Sequence, residues 1–192
     1  MNHPSLCKLW AAAVLLASIL TTTPAQAQWR DEVKRSVALF GHRNWIVIVD
    51  SAYPAQTSPG IQTIVVKGNH TTLPEIVTFV LDILDASKHV RPIIYTDAEL
   101  PFVSEKFASG ITDYRRELAA VLGKRSAQAL PHEQIIQKLD EAGKTFKVLI
   151  IKTPLALPYT SVFLQLDCGY WSAEAEETLR ETINGSPKPM SK

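Results

Sequence analysis

Six side chains in this sequence have the types and settings for moving protons or holding hydroxyl groups: His42, Asp50, Asp97, His132, Tyr159 and Ser161. Histidine titrates near neutral pH, so it can take a proton and return it. His42 follows Gly41 and precedes an apolar run; Asp50 closes that run. Asp97 follows a second run, Arg91-Pro92-Ile93-Ile94-Tyr95-Thr96. His132 stands in Pro131-His132-Glu133-Gln134, the first turn of an expected helix, where the helix dipole favours neutral imidazole. Tyr159, Thr160 and Ser161 precede a third run, and a tyrosine with two hydroxyls there could line a sugar site. Together these residues suit general acid–base catalysis, in which each positioned group contributes roughly 10²–10⁴-fold. Each also has a plainer reading. Taken alone, His42 is a turn histidine, Asp50 an Asx-turn cap, and Tyr159 a packed aromatic.

Other chemistries lack their motifs. There is no His-x-x-x-His or Cys-x-x-Cys pair for a metal, no G-x-G-x-x-G or P-loop for phosphates, and no G-x-S-x-G elbow. No cofactor and no metal are expected. The charge balance, 20 Lys and Arg against 19 Asp and Glu, gives no basic stripe for nucleic acid.

The elements that would position these residues alternate. Helices are expected over Asp31–Phe40, Leu73–Leu84, Thr112–Leu122, Pro131–Ala142 and Ser172–Ile183. Strands are expected over Trp45–Val49, Ile61–Val66, Arg91–Tyr95, Phe146–Ile151 and Val162–Leu166. The strands are solidly apolar, as strands covered on both faces are. The fold class is therefore α/β, a three-layer sheet with helices on both faces. In such folds ligands bind outside the carboxyl ends of the strands, where Asp50 and Asp97 stand.

The N-terminus reads as a secretory signal peptide over residues 1–27. Lys8 precedes an apolar run from Leu9 to Leu20, too short to span a bilayer, and Ala25-Gln26-Ala27 supplies the small residues of a cleavage site. The expected mature protein is periplasmic or secreted, free of the membrane, with one domain over 28–185 and a flexible tail over 186–192. It keeps Cys168 alone of the 2 cysteines, so no internal disulfide can form.

The segment Gly41-His42-Arg43-Asn44-Trp45-Ile46-Val47-Ile48-Val49-Asp50-Ser51-Ala52-Tyr53-Pro54 resembles the opening of the ribose pyranase and fucose mutarotase (RbsD/FucU-like) family. That family begins with a helix, Gly-His, an apolar strand ending in Asp, a small residue and a hydrophobic-Pro pair. His132-Glu133-Gln134 and Pro158-Tyr159 resemble two later family segments, so the likeness runs from about Val33 to Leu166. Where the family carries Asn after the tyrosine, this chain has Ser161. The signal peptide and the segment from Asp167 to Lys192 have no counterpart in the family. The resemblance implies a pentameric or decameric ring with sites at subunit interfaces. It also implies cofactor-free interconversion of anomers or ring forms of a monosaccharide. By the same carry-over His42 is the leading acid–base residue, and Asp50 orients it or binds a hydroxyl. His132 and Tyr159 are the opposite partner and a hydroxyl ligand. Ser161 contributes to substrate binding by that carry-over, and Asp97 is expected to do so from its place at the carboxyl end of a strand. Two other readings compete: a non-catalytic sugar-binding or oligomeric scaffold on the same fold, and an unrelated exported α/β protein.

Overall fold

The computed structural model describes residues 24–68 and 71–185. The expected tail over 186–192, His70 and most of the expected signal peptide lie outside the described residues. The chain order is α1 (Pro24–Leu39), β1 (Trp45–Val49), β2 (Ile61–Val65), α2 (Leu73–Ala86), β3 (Val90–Asp97), α3 (Ile111–Leu122), β4 (Ala127–Leu130), α4 (His132–Thr145), β5 (Val148–Lys152), β6 (Val162–Cys168) and α5 (Ala173–Gly185). A single 3-10 turn, Leu100–Phe102, interrupts the β3–α3 connection.

The six strands form one sheet in the order β2-β5-β1-β6-β3-β4. β5 runs parallel to β1 and β2, and β4 runs parallel to β3. β6 is antiparallel to both β1 and β3. Strands β1 to β5 therefore share one direction and end at one edge of the sheet, and β6 begins at that same edge.

Side chains of a strand alternate between faces, and both faces here are apolar. Ile46, Ile48, Leu149, Ile151 and Leu164 point to a core closed by α1, α2 and α3. Trp45, Val47, Val49, Ile150 and Phe163 point to a second core closed by Ile135, Leu139 and Ala142 of α4. The sheet is thus the middle of three layers, as the continuous apolar strands predict. The α2 N-terminus carries a capping box, in which Thr72 accepts from the Glu75 amide while Glu75 accepts from the Thr72 amide.

β4 was not expected. Its sequence, Ala-Gln-Ala-Leu, has no β-branched residue, and its first three residues are exposed. It exists because β3 offers a free edge and α4 must be led back over the sheet. α1 begins at Pro24, ahead of the expected cleavage point. Trp29, Val33 and Val37 of this helix are buried, so the part from residue 28 onward belongs to the domain core. α5 buries none of its residues.

Candidate active site

The carboxyl-end edge of the sheet collects five of the six residues. Asp97 is the last residue of β3 and is 1% exposed. β6 begins opposite it: Thr96 pairs with Val162, which sets Ser161 beside Asp97. On the other side of β6, Ile48 pairs with Val162, which brings Asp50 to Ser161. The Ser161 hydroxyl donates to Asp50 Oδ2 at 3.4 Å. Asp50 Oδ1 accepts from the Ala52 amide at 2.7 Å, the Asx turn that the sequence offered as the plainer reading.

His132 opens α4 directly above this edge. Its Nδ1 lies 2.9 Å from Asp97 Oδ1. Its backbone N–H donates to both carboxylate oxygens of Glu99, each at 3.1 Å. Glu99 thus satisfies one of the helix's unpaired first-turn donors and places negative charge at its positive end. Pro131, in the capping position, makes no side-chain cap, so Glu99 supplies what the local sequence lacks. Glu99 was not singled out from the sequence, although it stands two residues past the end of a strand. Its role depends on a helix that begins more than thirty residues later, so no local pattern exposes it.

Tyr159 sits in the left-handed region at φ 57°, an uncommon conformation for an aromatic residue. Tyr114 holds the adjoining backbone in place, its buried hydroxyl donating to the Thr160 carbonyl. The Thr160 hydroxyl donates to the Leu157 carbonyl at 2.8 Å. Held this way, the Tyr159 ring meets His132 edge-on, with centroids 5.7 Å apart and planes at 84°. Tyr159 is 39% exposed and the His132 side chain 32%, so both face solvent across the Asp97 carboxyl.

Asp97 is the electrostatic centre. Its Oδ2 is buried and has no hydrogen-bond partner among the described residues. Burial pushes its carboxyl above the ordinary aspartate range, the His132 contact opposes this, and the charges of Glu99 and Asp50 add to the rise. Nearby Tyr53 and Tyr114 are also held well above the usual phenol range, first by burial; the charges of Asp97 and Asp50 add to the rise at Tyr114, and those of Asp140, Asp97 and Asp50 at Tyr53. The arrangement is a buried carboxyl oriented on one imidazole nitrogen, with the ring's other nitrogen left for chemistry. That is how a general base is aimed and its tautomer chosen.

His42 is elsewhere. It lies before β1, at the opposite edge of the sheet from Asp50. The strand from Trp45 to Asp50 alone spans roughly 17 Å at 3.3 Å per residue. Within one protomer Asp50 therefore does not orient His42, and His42 does not meet Tyr159. His89 is structural: its Nε2 lies 3.1 Å from the carbonyls of Val37 and Phe40 at the end of α1. Among the described residues no cluster of three His, Cys, Asp or Glu could hold a metal ion.

The family model described as the RbsD / FucU transport protein family matches residues 28–168. The chain belongs to this family. The matched region starts within α1 and ends with β6, so it contains every residue of the carboxyl-end site and excludes α5. Among solved structures, the chain is similar to Bacillus subtilis RbsD complexed with D-ribose, at 17% identity and a TM-score of 0.50 over 81% of this chain and 96% of that one. It is also similar to the fucose mutarotase from Streptococcus pneumoniae in complex with L-fucose, at 16% identity and a TM-score of 0.42 over 74% of this chain and 91% of that one. The match to the Bacillus protein is a likeness of fold. No curated protein sequence matches the chain.

Proposed function

We propose that this protein is a monosaccharide mutarotase or pyranase whose acid–base centre is the Asp97–His132 pair. The observation that carries this is the buried, half-satisfied Asp97 carboxyl, set 2.9 Å from Nδ1 of a His132 that faces solvent beside Tyr159. A purely structural carboxylate would have both oxygens satisfied or solvated.

The reaction asks for little. Nε2 of His132 takes the proton of the anomeric hydroxyl while Tyr159 donates its hydroxyl proton to the ring oxygen. The bond from the anomeric carbon to the ring oxygen breaks and an aldehyde forms. Rotation about the adjoining carbon–carbon bond and reversal of both transfers close the ring on the other face, or through another hydroxyl. Protons balance and no electrons change hands, so the chemistry calls for no cofactor. Asp97 holds the imidazole in the tautomer with Nε2 unprotonated. Asp50, partly exposed, offers an acceptor to the sugar; Ser161 is 1% exposed with its hydroxyl on Asp50, so it holds that carboxylate rather than meeting the sugar itself. We infer that the active protein is a homo-oligomer, the ring that the family resemblance implies, in which His42 of one protomer meets the Asp97 edge of its partner; the separation of His42 from Asp50 within one chain supports this reading.

Exchange NMR with ribose, fucose, galactose and glucose tests the proposal. Faster anomer exchange for at least one sugar is expected, and uncatalysed rates with all four would sink it. A second reading has its own observation: Ser161 stands where the family pattern has an amide, which leaves a shorter side chain with one donor hydrogen in place of two. A binding protein without catalysis would show sugar binding by calorimetry and no exchange. Export is proposed on the apolar run and the Ala25-Gln26-Ala27 site. N-terminal sequencing of the periplasmic protein should begin at Gln28.

A further inference from the structure

We propose that Gln28 is a modification site, closed in the mature protein to an N-terminal pyroglutamate lactam. The proposal rests on the export reading, since it needs the chain to be cut between Ala27 and Gln28.

The fold adds two facts. First, the Ala27–Gln28 bond lies inside α1, which begins at Pro24. Proteolytic cuts fall in exposed, unpaired backbone rather than in a hydrogen-bonded helix. The cut therefore comes before α1 folds, and the folded helix then starts at Gln28. Second, the new end has no slack. Trp29 is 4% exposed and meets Phe79 edge-on, with centroids 5.1 Å apart and planes at 74°. The Arg30 guanidinium lies over both rings, 4.5 and 5.4 Å from their centroids. The mature chain thus begins one residue ahead of its core.

Gln28 itself is exposed, and its side-chain amide has no partner among the described residues. Nothing holds that amide away from the amine of the same residue. A terminal ammonium is poorly placed here. It would stand at the positive end of the α1 dipole. It would also share a cavity of about 310 Å³ with Lys67. Glu32, the carboxylate of that cavity, is already engaged by Arg35 and by the Gln62 amide, which donates to it at 2.8 Å. Ring closure removes the charge. The unprotonated amine attacks Cδ of the Gln28 side chain. The N–Cδ bond forms, the Cδ–Nε2 bond breaks, and Nε2 leaves as ammonia with a proton from the amine. No electrons change hands and no co-reactant is consumed. The lactam has no terminal amine, so an aminopeptidase has no starting point. That guards the core, because trimming from Gln28 would take Trp29 at its second step.

The test is tandem mass spectrometry of the exported protein, which reads blocked and open ends alike. The first peptide should begin at Gln28 and be lighter by one ammonia, with the loss located on that residue. Gln28→Ala should begin at the same position with its full mass. An aminopeptidase should remove the first residue of Gln28→Ala and leave the parent whole. The proposal is overturned, with the cut left standing, if the parent begins at Gln28 with its full mass or if both proteins are trimmed alike. A chain that begins at another residue overturns the cleavage reading and this proposal with it. Anomer exchange enters none of these readouts, so the mutarotase reading stands or falls separately.

Discussion

Replacing Asp97 by Asn is the most informative single change. The carboxyl is 1% exposed, and among the described residues its only hydrogen bond is to His132. Burial raises its pKa above the ordinary 3.8, with Glu99 and Asp50 adding to the rise and His132 opposing it. Because the folded value lies above the unfolded one, the protonated form favours the fold. The contribution of Asp97 to stability is therefore complete below the unfolded value and is lost as pH rises through the folded one. Asparagine has no such dependence. The stability of Asp97→Asn relative to the parent should thus rise as pH climbs from about 3.8, then level off. Each pH unit between the two pKa values adds about 1.4 kcal/mol to that difference. At neutral pH the variant exchanges an unpartnered buried carboxylate oxygen for an unpartnered amide. Leaving a buried neutral group unpaired costs about 1–3 kcal/mol, and a charged one costs more, so the variant should be no less stable there. Activity should move the other way. The amide can donate to Nδ1 and hold the wrong tautomer, and the anomer exchange rate should fall by roughly 10²–10⁴-fold. Urea unfolding across pH, exchange NMR, and nitrogen chemical shifts of the His132 ring measure the three effects. A stability difference that falls as pH rises, or a variant with full exchange activity, would refute the reasoning.

Other perturbations follow from the same geometry. Tyr159→Gly should stabilise the protein by up to about 1 kcal/mol, through relief of the positive φ, while lowering activity through loss of the hydroxyl. Tyr114→Phe leaves the buried Thr160 carbonyl without its donor and should cost about 1–3 kcal/mol in urea unfolding. It should also reduce activity, because the loop that presents Tyr159 loosens. Gly60→Ala would place a methyl group 2.4 Å from the carbonyl oxygens of both Gly143 and Phe146. Backbone must shift to accept it, so a loss of several kcal/mol, or no soluble protein, is expected by thermal melting.

Much of this architecture is legible in the residue pattern, because the strands are apolar on both faces and the helices carry clear stripes. Trp45–Val49 ends where the sequence expects it to, at Asp50. The last strand runs past its expected end at Leu166, since β6 continues to Cys168 and pairs with Val90 there. β4 escaped because an exposed edge strand needs no apolar alternation. The site divides in the same way. Asp50, His132, Tyr159 and Ser161 stand at element boundaries, which sequence marks well. The depth of Asp97 does not show, because it depends on α4 lying across the end of β3. Nor does the left-handed turn at Tyr159, which depends on a hydroxyl from α3. The separation of His42 from Asp50 follows from strand geometry alone. Whether they cooperate depends on assembly, and sedimentation of the mature protein should show a ring-sized species rather than a monomer.

The most direct measurement is the anomer exchange rate of His132→Gln beside that of the parent, with sugar affinity measured in parallel by calorimetry. If Asp97 and His132 form the acid–base centre, exchange should collapse by roughly 10²–10⁴-fold while affinity changes by less than about tenfold. A His132→Gln protein that binds sugar and exchanges anomers at the parental rate would contradict the assignment.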